Sequence, residues 1–210
     1  MVILLKRKNS DSNKLDLSKA ITSLLNGKII VYPTDTLYGL GADIFNKDAV
    51  KKIFEIKKRP FKNPLPIAVS DYNMIEKIAF IDENSSKIIK SFLPGKLTLI
   101  LRKKDTIPNI ITGNTEKVAV RIPNNKIALK ILEDFGPITA TSANLHGLKT
   151  PAFINDIRMQ FPLDDVAVYL DVGKLEGLPS TIIDASSNDV KIIREGAIKK
   201  EEIMEAIRNG

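Results

Sequence analysis

Apolar residues recur along this chain in two rhythms, one helical and one extended. Helical spacing joins Leu17, Ala20, Ile21, Leu24 and Leu25 between Asp16 and Asn26, and Gly27 follows as a C-terminal stop. It returns in Ala49, Val50, Ile53 and Phe54 behind Asn46, a capping residue, in a helix that must stop near Pro60. Asp71 opens another helix through Met74, Ile75 and Ile78, and a further one runs from about Asn84 to Phe92 before Pro94-Gly95. Ile127, Ala128, Ile131, Leu132 and Phe135 line one face of a helix over 125–135 that Gly136-Pro137 closes. A last helix is predicted from Lys199 to Arg208.

The extended rhythm predicts strands. At the start, apolar residues precede the charges in Met1-Val-Ile-Leu-Leu-Lys-Arg-Lys8, the reverse of a signal peptide, so the segment reads as a first strand and a basic turn. Short β-branched or apolar runs follow at 28–32, 66–69, 97–101, 118–122, 138–140, 166–170, 181–184 and 191–194. The last two are near neighbours, which predicts a hairpin. Strands and helices mix without strict alternation. That pattern predicts an α/β fold of the α+β type: one domain over 1–210, a twisted mixed sheet with packed helices, not a doubly wound parallel sheet. No repeat, low-complexity tract or long linker interrupts it.

Composition narrows the chemistry. With 43% apolar and 27% charged residues the chain can bury a sizeable core, and no apolar run is long enough to cross a bilayer. The absence of cysteine excludes disulfides, thiolate zinc sites and cysteine nucleophiles, and nothing addresses the chain away from the cytoplasm. The net charge of +7 is spread along the chain, which suits polyanions such as nucleotides or RNA as well as it suits a lysine-rich solvated surface. Gly27, Gly95 and Gly173 each precede Lys, but no Ser or Thr follows, so there is no P-loop. Gly39-Leu40-Gly41 lacks the third glycine of a dinucleotide fingerprint, Ile44 standing there. His146 is the single histidine, which excludes multi-histidine metal sites; without a nucleophile elbow it reads as a surface loop residue.

Several polar constellations remain. Tyr32-Pro33-Thr34-Asp35-Thr36-Leu37-Tyr38-Gly39-Leu40-Gly41 packs hydroxyls, an acid and two glycines into one turn, able to meet a small polar ligand or simply to end a strand. Lys57-Lys58-Arg59-Pro60, followed by Asn63-Pro64-Leu65, ends a helix; the proline break lets Lys57 and Arg59 converge on one anion, or they complement the helix C-terminus. Thr139-Ala140-Thr141-Ser142-Ala143-Asn144 offers small residues and directed donors to phosphate, or serves as a turn. Arg121, amid an apolar strand, either snorkels out or faces a polar pocket, and the second requires an anionic partner. Pro179-Ser180-Thr181 and Arg194-Glu195-Gly196 place polar residues at strand ends. Together these make a pocket of Lys, Arg, Ser, Thr and Asn, suited to phosphoryl or nucleotidyl transfer, where charge neutralisation matters more than a protein nucleophile.

In order, Pro33-Thr34-Asp35-Thr36-Leu37-Tyr38-Gly39-Leu40, Lys57-x-Arg59-Pro60, Pro94-Gly95 with Leu97-Thr98-Leu99-Ile100, Val120-Arg121-Ile122-Pro123, Ser142-x-Asn144, Pro179-Ser180-Thr181 and Arg194-x-Gly196 resemble the threonylcarbamoyl-AMP synthase (YrdC-like) family. The resemblance implies that threonine and bicarbonate form a carbamate that attacks ATP, giving threonylcarbamoyl-AMP and pyrophosphate. A separate transferase would then modify the tRNA adenosine beside the anticodon. It assigns Thr36, Arg121, Ala140 (through its backbone) and Ser180 to threonine. Lys57, Arg59, Asn63, Lys117, Ser142, Asn144, Thr150 and Arg194 go to ATP, with Mg²⁺ as companion and Lys57 and Arg59 as the catalytic cations. Lys117 and Thr150 are placed by spacing alone. Where many relatives carry a threonine-binding histidine, this chain has Ala68; longer members also continue past Arg-x-Gly into a second domain. A binding module that holds RNA on the same basic surface is the competing reading; its affinity would fall steeply with salt.

Overall fold

Polar residues standing just ahead of the apolar runs start four of the helices. In the computed structural model, which describes residues 2–6, 17–161, 164–187 and 189–209, the Asn46 side chain accepts from the Ala49 amide and opens α2 (Lys47–Lys57). Asp71 opens α3 (Tyr72–Ile78) through the Met74 amide, and Asp82 opens α4 (Glu83–Phe92) in a reciprocal capping box with Ser85. Asn125 accepts from the amides of Ile127 and Ala128 at the start of α6 (Lys126–Phe135). Helix α1 (Ser18–Leu25) ends at Gly27, whose φ of +67° suits a residue without Cβ, and α8 (Lys200–Asn209) closes the described chain. Asp16, where the first helix was expected to begin, and Arg7 and Lys8 of the basic turn lie outside the described residues. Two short helices, α5 (Asn109–Thr112) and α7 (Ile154–Gln160), have fewer than two full helical turns each, too few for a periodicity to register.

The strands are β1 (Ile3–Lys6), β2 (Ile30–Pro33), β3 (Tyr38–Gly41), β4 (Ile67–Ala68), β5 (Ala79–Phe80) and β6 (Leu97–Lys103). They continue with β7 (Lys117–Arg121), β8 (Ile138–Thr139), β9 (Thr141–Ser142), β10 (Val168–Asp171), β11 (Thr181–Asp184) and β12 (Lys191–Arg194). These form two mixed sheets, one ordered β1-β10-β2-β3-β9, the other β12-β11-β6-β7-β4-β8 with β5 beside β6. The expected hairpin is β11 with β12, antiparallel. Every residue of β2 is buried because both faces are covered. Val31 joins Val50, Ile53 and Phe54, whereas Ile30 and Tyr32 join Ala20, Leu24, Ile131 and Leu132 beneath α1 and α6.

One short run belongs to both sheets. β8 pairs with β4 and β9 with β3, so the chain changes sheet at Ala140. The Thr139 hydroxyl donates to Leu40 O (2.8 Å) and accepts from the Ala42 amide (3.1 Å), stitching the crossing to β3. The Ala140 amide donates to Pro66 O at 2.7 Å. Where the sequence pattern predicts a single twisted mixed sheet, the strands therefore divide between two sheets that meet at residues 138–142.

β3 corrects a second expectation. The turn occupies 34–37, and Tyr38–Gly41 returns antiparallel to β2, with Tyr32 opposite Gly39 and Ile30 opposite Gly41. A Cβ on Gly41 would stand 2.9 Å from Ile138 Cδ1 and 3.1 Å from the Tyr32 ring; on Gly39 it would stand 3.2 Å from that ring. These glycines make room for Tyr32 inside the core and do not open amides to a ligand.

Candidate functional site

Arg121 ends β7, after Val118 and Val120 have turned into the core, and only 5% of it is exposed. The anionic partner that such burial demands is Asp35, in the turn between β2 and β3; its Oδ1 accepts from Arg121 Nη2 at 2.6 Å. Arg121 Nη1 donates to Thr36 Oγ1 at 3.3 Å. The turn itself is held by Thr34, whose hydroxyl donates to Leu37 O (2.6 Å) and accepts from the amides of Thr36 and Leu37. Two buried polar atoms here find no partner among the described residues: Asp35 Oδ2 and Arg121 Nε. Each open valence of this kind costs about 1–3 kcal/mol. Ala68, in place of the family histidine, pairs in register with Arg121.

Ser180 and Arg194 flank this ion pair. Ser180 Oγ shares a hydrogen bond with Thr98 Oγ1 (2.9 Å), and its carbonyl accepts from Arg194 Nη2 (2.8 Å). Burial, then the positive field of Arg121, lowers the Arg194 pKa, so the two guanidiniums feel one another. Gly196 makes this packing possible, because a Cβ there would lie 2.2 Å from Pro179 O and 2.7 Å from the Ser180 carbonyl carbon. Gly196→Ala is therefore expected to destabilise the protein by about 2–4 kcal/mol and to lower its melting temperature by roughly 5–10 °C, measurable by thermal unfolding.

Across the Ala140 crossing lies a second polar group. Lys58 takes the left-handed conformation (φ 51°) that ends α2, so Lys57 closes the helix and Arg59 lies just beyond it, as the proline break predicts. Lys57 points inward, 1% exposed, and its Nζ donates to Ser142 O and to Asn144 O (2.6 Å). Burial, reinforced by the charge of Arg59, lowers its pKa from 10.5 to about 7. Arg59 folds back over the turn, donating from Nε to Asn63 O (3.1 Å) and from Nη2 to Pro64 O (2.8 Å). His146, though exposed, stands 3.4 Å from both Arg59 Nη1 and Asn63 Nδ2. Its place in a loop is as expected, but its proximity to these two residues had no signal in the sequence.

Asn144 corrects a further expectation. Its Oδ1 accepts from Ser142 Oγ and Thr150 Oγ1, and its Nδ2 donates to Leu145 O (2.7 Å) and Leu148 O (2.8 Å). An amide side chain has two donors and two acceptor positions, so none is left for phosphate. Asn144 shapes the loop that presents Ser142 and Thr150.

The two groups adjoin: Ser142 lies opposite Gly39 in the β3–β9 pair, three residues beyond Thr36. The segment 172–180 runs along both. Tyr38 anchors its start by donating to Gly173 O (2.8 Å), the Leu175 amide donates to Ala152 O (2.9 Å), and a Cβ on Gly177 would lie 3.1 Å from Thr36 O. Lys57, Arg59, Asn63, Ser142, Asn144 and Thr150 thus form one cluster, and Thr36, Arg121, Ser180 and Arg194 the other, with Ala140 between. Ala140 has its amide committed to Pro66, which leaves its carbonyl. Lys117 stands apart. It occupies the opposite end of β7, roughly 13 Å from Arg121 along the strand, with Nζ on Asp184 Oδ2 at 2.7 Å. Among the described residues no three His, Cys, Asp or Glu side chains gather to hold a metal, and no helix is long and apolar enough to cross a membrane.

Comparison with known proteins bears on this arrangement. The profile of the telomere recombination family, Sua5/YciO/YrdC, matches residues 22–196. A putative threonylcarbamoyl-AMP synthase of Methanocaldococcus jannaschii is 38% identical over 203 residues, 96% of each chain. The threonylcarbamoyl-AMP synthase of Pyrococcus abyssi is 39% identical over 184 residues, which cover 86% of this chain and 54% of that one. The crystal structure of P. abyssi Sua5 complexed with L-threonine superposes with a TM-score of 0.88 at 35% identity, covering 99% of this chain and 61% of the other. E. coli YciO superposes with a TM-score of 0.83 at 26% identity, covering 95% and 97%. The chain therefore spans little more than half the length of its Pyrococcus relative and nearly all of its Methanocaldococcus one.

Proposed function

Because this chain belongs to the Sua5/YciO/YrdC family, we propose that it makes L-threonylcarbamoyl-AMP and pyrophosphate from L-threonine, bicarbonate and ATP. One observation carries the reading: a buried guanidinium with an open valence, Arg121, adjoins a cluster that supplies two further cations, Lys57 and Arg59. The first suits the carboxylate of an amino acid and the second the phosphates of a nucleotide. Residues 1–210 act as one unit in this reading.

The chemistry needs little more. Bicarbonate and the threonine amine condense to a carbamate with loss of water. A carbamate oxygen then forms a bond to the α-phosphorus as the bond to pyrophosphate breaks. Negative charge builds on the leaving pyrophosphate, and Lys57, Arg59 and Arg194 neutralise it. Mg²⁺ accompanying ATP would add Lewis-acid neutralisation of the phosphates. Arg121 holds the carboxylate, with Thr36 and Ser180 beside it. The carbamate is labile, and segment 172–180, lying against Thr36, helps keep water away. The product suits transfer of its threonylcarbamoyl group to a tRNA adenosine beside the anticodon by a separate transferase in the cytoplasm.

The test is pyrophosphate release with each of threonine, bicarbonate and ATP left out in turn. All three are expected to be required. Release that persists without threonine would end this reading.

A further inference from the structure

The Asp35–Arg121 pair leaves two valences unmet, of opposite kind. Arg121 Nε is a donor without an acceptor; Asp35 Oδ2 is an acceptor without a donor. Both side chains are more than nine-tenths buried, away from bulk solvent. A molecule that completes the pair must bring both an oxygen acceptor and an N–H donor, as an α-amino acid does. Charge gives the same answer. The pair is neutral, and a zwitterion entering it leaves it neutral. A plain carboxylate would instead set its charge against Asp35.

On the enzyme reading above, we infer that Asp35 is a specificity-determining residue. Its Oδ2 accepts an N–H from the substrate's amino nitrogen, in the ammonium and in the carbamate, while Arg121 holds the carboxylate. Asp35 Oδ1 meanwhile fixes the guanidinium at 2.6 Å. The residue thereby makes an amino group a condition of entry and holds the nitrogen that is to be carboxylated.

Binding without turnover tests this, using the whole chain in bicarbonate-free buffer and two ligands, threonine and 3-hydroxybutyrate, its counterpart without the amino group. Wild type is expected to prefer threonine by about 10- to 100-fold, the scale of one charge-assisted hydrogen bond. Asp35→Asn is expected to bring that ratio close to one. If Asp35 only braces Arg121, the variant loses affinity for both ligands equally and the ratio survives, which overturns the inference. Should the variant fail to fold, the wild-type ratio decides: no preference for threonine is equally fatal. Wild-type protein that releases pyrophosphate with threonine but shows no preference sinks this inference alone. Protein that does neither sinks the enzyme reading with it.

Discussion

Arg59→Ala is expected to cut threonine-dependent pyrophosphate release by at least a hundredfold, to background in an ordinary assay, while the protein stays folded. Its guanidinium is one of three in the site and the only one mounted on the turn after α2, next to Lys57. Removing one preorganised cation from a site that neutralises phosphate charge costs about 10²–10³ in rate. Stability should change little, because Arg59 is only partly buried and its hydrogen bonds are to carbonyls of its own turn, Asn63 O and Pro64 O. Arg59→Lys restores charge without the planar fork and is expected to recover activity only in part. There is also a coupled effect. The charge of Arg59 helps lower the Lys57 pKa, so its loss should move that pKa upward. Thermal unfolding beside pyrophosphate release separates these outcomes; a folded Arg59→Ala protein with wild-type turnover would refute the assignment of Arg59.

What the sequence could reveal follows from how local each interaction is. Asn46, Asp71 and Asn125 bind amides two or three residues on, so their helix starts are legible from neighbours alone. The need of Arg121 for an anion was also legible, because a charge amid Val118, Val120 and Ile122 cannot be buried unpaired. That Asp35 supplies it, 86 residues away, was not. Gly39 and Gly41 look like ligand-binding glycines until the Tyr32 ring is seen against them, and that contact depends on the strand register. Asn144 misleads in the same way: its residue type suits phosphate, but Ser142, Leu145, Leu148 and Thr150 consume its whole hydrogen-bonding capacity. The split into two sheets depends on which partner each half of 138–142 finds. Such short strands have no period of their own to announce it. Motif order picked out residues that the fold brings together where periodicity could not, because it preserves which residues meet without needing to say how.

Lys57→Met is expected to cut activity to a small residual rate and to remove a pH dependence expected of wild type in both rate and stability. Lys57 spends two N–H groups on Ser142 O and Asn144 O, and only its protonated form keeps a third for phosphate. With the pKa lowered to about 7, kcat/KM for ATP at saturating threonine and bicarbonate should fall about tenfold per unit as pH rises above 7. The residual rate of the variant should be flat there. Stability runs the other way. Below pH 7 Lys57 is charged in both folded and unfolded chains, and the full cost of burying that charge is present. Between about 7 and 10.5 the folded chain binds fewer protons than the unfolded one, so stability rises with pH, and it levels off above 10.5. Methionine has no proton to lose, and the difference in unfolding free energy between wild type and variant should therefore grow in favour of wild type across that window. Bringing ATP's negative charge to a neutral amine should restore its proton. Near pH 8.5, calorimetry in buffers of different ionisation heat is expected to register uptake of close to one proton on ATP binding by wild type, and none by the variant. If proton uptake is absent and the rate stays level to pH 9, Lys57 does not meet the nucleotide as a cation, and its two carbonyl bonds are its whole function.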